Sequence, residues 1–194
     1  MRKKLIIIFS AIVIIAGLVF VGLPYYQNQK LIQRYAFTMD SASGKVSLKD
    51  FKGKIVILYF GYMYCPDICP TTLSMVSDAL HKLPKEEAKR FQLLFVSVDP
   101  DRDTLKNLKA YANYFYPTAM GLTSTKANLK AVSRTFGAYY SKIYDKGSKT
   151  QYTVAHTSSV YIINTQGILE KTIPHTEDEN VFLKAFKTAL IKNR

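Results

Sequence analysis

Lys54-Ile55-Val56-Ile57-Leu58-Tyr59-Phe60-Gly61-Tyr62-Met63-Tyr64-Cys65-Pro66-Asp67-Ile68-Cys69-Pro70 joins a continuously apolar, partly β-branched run to a pair of thiols. Residues 55–60 have the character of a strand covered on both faces. Cys65 and Cys69 are the only cysteines in the chain. A helix is expected after Pro70, with Thr71 or Thr72 as its cap and Leu73, Val76, Leu80 and Leu83 on one face. A cysteine at a helix start lies near backbone N–H groups and the positive dipole end, which favours thiolate over thiol. At a spacing of four residues on a helix, both sulfurs share one face and lie within disulfide reach. Thiolate is at once the nucleophile of disulfide exchange and a ligand for soft metals, so the spacing leaves both chemistries open.

Downstream, residues 91–98 read as a second buried strand. Asp99-Pro100-Asp101-Arg102-Asp103-Thr104 turns into a second helix with Leu105, Leu108, Ala112 and Phe115 inward, for which Asp103 is the expected N-cap. Residues 120–123 form a short strand, and Thr125 opens a third helix that buries Leu129, Val132 and Phe136 and ends at Gly137. Residues 139–153 are largely polar and read as a loop or irregular hairpin. Two strands around Asn164-Thr165-Gln166-Gly167 follow, and a last helix starts near Glu177 with Val181, Phe182, Phe186 and Leu190 inward. On the upstream side, Ser41-Ala42-Ser43-Gly44-Lys45 reads as a hairpin turn. Strand–helix–strand–helix followed by a hairpin and a terminal helix is the order of a thioredoxin-like α/β sandwich, a central mixed sheet flanked by helices.

The N-terminal residues bear on compartment. Arg2, Lys3 and Lys4 form a basic tip (1–4) before an apolar stretch, residues 5–23, that would span roughly 28 Å as a helix. Positive charge on the leading side predicts a cytoplasmic N-terminus, and Tyr25 and Tyr26 suit the membrane–water interface. The stretch is long for a cleaved signal, no small-x-small site follows it, and no cysteine offers a lipid anchor. The expectation is a single-pass anchor (5–23), a tether (24–36) and one domain (37–194) in the periplasm or another extracytoplasmic space. The net charge of +13 then reads as a solvated basic surface, or as attraction to anionic headgroups or an acidic partner; no nucleic-acid partner is expected. In an oxidising compartment a Cys65–Cys69 disulfide is the default unless something keeps the pair reduced.

Two observations bear on metal against redox chemistry. Redox proteins of this fold usually separate their cysteines by two residues, and here Pro66, Asp67 and Ile68 intervene. They also carry a proline before the later hairpin strand, where this chain has Val154-Ala155-His156-Thr157. Two thiolates and an imidazole suit copper by softness, and zinc less specifically. Taken alone, His156 reads more readily as an ordinary core or surface histidine than as a ligand. His81 and His175 are expected to be solvent-exposed. Met63 offers a thioether beside the pair or fills the core. Asp67 would oppose thiolate formation by its charge or simply cap the turn, and Tyr64 directly precedes Cys65. A peroxidase reading has Cys65 as its nucleophile but lacks the usual threonine three residues earlier, where Tyr62 stands.

Gly61-Tyr62, Cys65-Pro66-Asp67-Ile68-Cys69-Pro70, Val98-Asp99-Pro100-Asp101-Arg102-Asp103-Thr104, Gly121-Leu122-Thr123 and His156-Thr157, in this order, resemble the Sco/SenC family. The resemblance implies a membrane-tethered, thioredoxin-like copper metallochaperone of cytochrome oxidase assembly. Its ligands carry over to Cys65, Cys69 and His156, holding Cu(I), Cu(II) or both, with Cys65–Cys69 as the disulfide of the oxidised form and no catalytic residues unless the pair is redox-active. The implied partners are an oxidase subunit carrying a copper site, other copper chaperones and thiol reductants. The alternative is a thiol–disulfide oxidoreductase that reduces such a subunit's cysteines. The chain departs from the family pattern at Ala155, where many members carry aspartate before the histidine, and at Tyr64, where many carry histidine.

Overall fold

A computed structural model describes residues 2–146, 151–176 and 178–193, with side chains from residue 17 onward and without that of residue 179. The chain divides into two units, Met1–Arg34 and Tyr35–Arg194. Helix α1 (Arg2–Tyr35) makes up the first, and its last residue belongs to the second. The stretch read as a tether is thus helical as far as Tyr35, with Pro24 inside the helix. Among the described residues no helix is long and apolar enough to cross a membrane. Most of the stretch read as an anchor, 5–23, falls on residues whose side chains lie outside the described ones.

In the second unit, β1 (Thr38–Ser41) and β2 (Gly44–Ser47) make the expected hairpin. A 3-10 turn (Leu48–Phe51) leads into β3 (Ile55–Gly61), every residue of which is buried. There follow α2 (Ile68–His81), a short α3 (Lys85–Ala88), β4 (Phe91–Ser97), α4 (Leu105–Phe115), β5 (Met120–Thr123) and α5 (Lys126–Thr135). Residues 139–153 contain β6 (Tyr140–Tyr144) and the start of β7 (Tyr152–His156), which pair in regular antiparallel register where a loop or irregular hairpin was expected; Gly147 and Lys149 lie outside the described residues. The chain ends with β8 (Val160–Ile163), β9 (Leu169–Ile173) and α6 (Glu179–Lys192). Asp178 caps α6, and Glu177, the expected start, lies outside the described residues.

Among the described residues the main sheet runs β2-β1-β5-β4-β3-β8-β9, and β6 and β7 form a separate two-stranded sheet. Strands β3, β4 and β5 are parallel, which their continuous burial requires. Side chains alternate across the sheet. Tyr59 and Phe95 stack on one face, where α4 supplies Tyr111 and α6 sets Phe186 against Phe91. Phe60 and Tyr161 lie on the other face and meet Phe136, just beyond α5. A Cβ at Gly121 would stand 2.2 Å from the carbonyl oxygen of Leu108. Only glycine lets α4 lie that close to β5.

This topology places the site. β3 and β4 pair in parallel from Ile55↔Phe91 to Gly61↔Ser97, so the Cys65 loop and the Asp99–Asp103 turn leave the sheet at the same end. β8 runs antiparallel to β3 with Tyr59 opposite Val160. His156, four residues before Val160, is thereby brought to that end as well.

Candidate metal centre

The thiol loop begins where β3 ends. The Cys65 N–H donates to the Tyr62 carbonyl at 3.3 Å, which turns the chain back. Helix α2 then starts at Ile68 with Asp67 at its N-cap position, ahead of Pro70 rather than after it. Proline has no N–H to contribute, and first-turn N–H groups have no partner in the helix, so the proline costs nothing there. Thr71, one of the two expected caps, instead donates its hydroxyl to Asp67 at 3.3 Å. Thr72 is buried and its hydroxyl lies 2.9 Å from Nδ1 of His175. Cys65 therefore precedes the helix, partly exposed, whereas Cys69 sits in its first turn, fully buried. The Cys69 N–H donates to Cys65 Sγ at 3.4 Å. Gly61 makes room beneath: a Cβ there would stand 2.9 Å from both Cys69 Sγ and Phe95 Cε2.

His156 ends β7 and points Nε2 at Cys69 Sγ, 3.2 Å away. Its Nδ1 lies 3.2 Å from the Thr157 carbonyl oxygen. A carbonyl only accepts, so Nδ1 carries a proton, and Nε2 is the ring atom turned to the sulfurs. Tyr59 and Tyr62 meet the imidazole edge-on, with centroids 6.2 and 5.8 Å away. The ligand atoms of Cys65, Cys69 and His156 all lie within 4.8 Å of one another, so the three residues carried over by resemblance stand together in space. Two sulfurs and one imidazole nitrogen are a soft donor set with room for a further ligand.

The SCO1/SenC family model matches residues 25–190. The chain belongs to the SCO1/SenC family. Among its relatives is the bovine (Bos taurus) mitochondrial SCO2 homolog, 36% identical over 143 residues, which are 73% of this chain and 53% of the relative. The chain spans about half the length of the curated relatives it matches. The crystal structure of Arabidopsis thaliana ScoI with copper bound superposes with a TM-score of 0.73 at 30% identity, covering 81% of this chain and 97% of that one. BsSco, a member of the Sco family of cytochrome c oxidase assembly proteins in which a disulfide switch was identified, superposes with a TM-score of 0.60 at 25% identity over 80% of this chain and 92% of its own.

In this SCO1/SenC protein the two thiols are electrostatically unequal. The hydrogen bond from the Cys69 thiol holds the Cys65 thiol down to about 4; burial opposes this, while the N–H groups of Cys69 and Asp67 and His156 reinforce it. The same sulfur–sulfur hydrogen bond, together with burial, pushes Cys69 far above the usual thiol range. Tyr59, beneath the pair, is likewise raised, chiefly by burial. The result is an accessible thiolate beside a protonated, buried partner.

The other residues singled out in the sequence take varied places. Asp67 is exposed at the helix start, and Tyr64 is exposed at 63% with the Arg102 guanidinium 5.0 Å from its ring. Met63 is half-buried, and its N–H donates to Asp103 at 3.0 Å. Ala155 is exposed, on the strand face opposite His156. His81 is exposed as expected, but His175 is half-buried against Thr72, because α2 passes close to the segment after β9.

The acidic turn does more than the expected capping. Thr104, not Asp103, caps α4, accepting from the Asn107 N–H. Asp103 is buried and takes the Ser97 hydroxyl at 2.6 Å as well as the Met63 N–H, tying the exits of β4 and β3 together. Burial raises its carboxyl above the ordinary value. Asp99 is wholly buried and paired with Arg102. The available signal was three aspartates and one arginine within five residues directly after a buried strand, more charge than one cap uses.

Proposed function

We propose that this chain is a copper metallochaperone of respiratory haem–copper oxidase assembly, with one copper ion as cargo held by Cys65, Cys69 and His156. The observation that carries the reading is the 3.2 Å approach of His156 Nε2 to Cys69 Sγ across 87 residues of sequence. A redox pair needs no such imidazole, whereas a three-coordinate soft site does. The chain's own groups are arranged for uptake and release. Cys65 is held as thiolate and Cys69 keeps its proton, so loading releases a proton and becomes tighter as pH rises. Three protein ligands leave a position through which a recipient's ligand can enter. The recipient is an oxidase subunit with a copper site, and other copper chaperones or thiol reductants supply the metal or the reduced thiols.

Residues 5–23 act as the membrane anchor, with the N-terminus cytoplasmic and the compact unit extracytoplasmic. Leu18, Val19, Phe20, Val21 and Leu23 are 55–83% exposed on α1, an apolar surface that water does not favour and lipid does.

Copper titration of the reduced protein beside His156→Ala tests the assignment. The expected result is one tightly bound copper per chain, with Cu(II) affinity in the variant falling by more than the roughly 10–100-fold that loss of an outer hydrogen bond costs. The thiolate charge-transfer absorption should also change. Unchanged affinity and spectrum would remove His156 from the site and the reading with it.

The inequality of the thiols favours a second role that does not exclude the first. As a reductant, the Cys65 thiolate attacks a partner disulfide and expels one partner thiolate; Cys69 then loses its proton and attacks Cys65, releasing the second. Two electrons pass to the partner and Cys65–Cys69 becomes a disulfide. Cys69→Ala should then trap a mixed disulfide through Cys65, and a variant that captures no membrane partner would count against this role.

A further inference from the structure

His156 does not stand on the main sheet. It stands on the β6–β7 hairpin, a separate two-stranded sheet, so something other than strand pairing must fix it opposite the thiols. Tyr152, Val154 and His156 alternate onto one face of β7, and Val154 is buried. Tyr152 is held firmly at the far end of that face. Its hydroxyl donates to Asp99 at 2.8 Å, and its carbonyl accepts from Arg102 Nη1 at 2.9 Å. Arg102 Cζ and Lys142 Nζ each lie 3.9 Å from the centre of its ring. Lys142, on β6, also bonds Asp101 at 2.7 Å and stands 3.7 Å from Asp99. All of these ties but the Lys142–Tyr152 contact, which joins β6 to β7, run from the hairpin to the turn after β4.

The same turn grips the thiol loop. Asp103 holds the Met63 N–H, two residues before Cys65, and the Arg102 guanidinium lies 5.8 Å from the Tyr62 ring and 5.0 Å from that of Tyr64. Arg102 is thus in reach of both elements. Its side chain is 25% exposed, while its partner Asp99 is 0% exposed. A wholly buried carboxylate must be paired, so the guanidinium is fixed in place before it touches anything else.

The geometry points to Arg102 as the positioning residue of the metal centre: a planar cation, anchored on Asp99, that clamps the histidine-bearing hairpin against the cysteine loop through Tyr152. Its five donors in a rigid fork permit it to bond Asp99 and the Tyr152 carbonyl while its plane lies on the aromatic rings, which a lysine cannot do. The consequence for binding rests on the copper reading above; the consequence for hairpin order does not.

The test uses the full chain in detergent, reduced and metal-free, with amide hydrogen exchange as its first readout. Arg102→Met should raise exchange at residues 153–156 while β3 and β4 stay protected. Tyr152→Leu, which leaves the Asp99–Arg102 pair intact, should do the same, and it decides the matter if Arg102→Met loses the protection of β3. Arg102→Lys should recover part of the protection. Cu(II) affinity is the second readout. It should fall about 10- to 100-fold in Arg102→Met, and adding Arg102→Met to His156→Ala should cost nothing more, because both remove the same ligand. Unchanged hairpin exchange in Tyr152→Leu and every folded Arg102 variant, or additive losses in the double variant, would overturn the clamp. Wild-type affinity in His156→Ala would overturn the copper reading instead, and the exchange result would still judge the clamp.

Discussion

Cys65 and Cys69 differ by four positions and by almost the whole range of thiol behaviour. Iodoacetamide should therefore modify Cys65 alone in the folded protein, at a rate nearly flat from neutral pH down to about pH 5 and failing only as pH approaches about 4. Mass mapping of the alkylated residue checks this, and Cys69 should react only on unfolding. The same shift bears on stability. Cys65 holds its charge in the folded state from about 4 upward, against 9.0 for the unperturbed thiol. Its contribution is complete above about 9 and is lost as pH falls toward about 4. Cys69, shifted the other way, adds an opposing slope above the ordinary thiol range. The stability difference between the reduced protein and Cys65→Ser should accordingly shrink as pH falls from 9 to 4. Gly61 is the silent member of this group. Gly61→Ala forces a methyl against Cys69 Sγ and the Phe95 ring, both fully buried. It should cost about 1–3 kcal/mol in urea denaturation. The cysteines were legible in the sequence because there are only two, and they stand at a strand's end. Gly61 was not legible as a packing requirement, since only the path of α2 over β3 reveals it.

At the scale of elements, the strands and most of the helices could be read from apolar runs, and the errors fall where local rules compete with tertiary contacts. Pro70 looked like a helix boundary but is a first-turn residue. Asp103 looked like a cap, which a surface aspartate would have been, but burial between two strand exits gave it other work. Residues 139–153 read as a loop or irregular hairpin because Lys142, Lys146, Gly147 and Lys149 make the stretch largely polar, and the regular pairing of β6 with β7 was not legible. Tyr152 and Lys142 meet the Asp99–Arg102 turn, while Val154 joins the core. Asp103→Ala tests this reassignment. A lost cap would cost about 1 kcal/mol and fray α4. Loss of the acceptor for Met63 and Ser97 leaves buried donors unsatisfied, and the expected cost is about 1–3 kcal/mol. It should come with faster exchange of the Met63 amide and unchanged helicity.

The chain as a whole divides into a helical unit and an α/β unit, and the proposed reading gives the first the address and the second the chemistry. Every group invoked at the metal centre, and the whole buried core from Phe37 to Leu190, lies in the unit Tyr35–Arg194. The exposed apolar side chains of α1 between Leu18 and Leu23 belong to the other unit. If the helix serves only as an anchor, removing residues 1–34 should convert a protein that pellets with membranes into a freely soluble one. It should leave cooperative unfolding, one copper per chain and selective alkylation of Cys65 as they were. Failure of the truncated protein to unfold cooperatively would instead make α1 part of the folded core. A truncated protein that folds but still sediments with anionic vesicles at low salt, and leaves them at high salt, would assign membrane contact to the lysine-rich surface rather than to the helix. Sedimentation of both forms at two salt concentrations separates these cases, because burial of an apolar helix is insensitive to ionic strength whereas attraction to headgroups is screened within about 10 Å at 0.1 M salt.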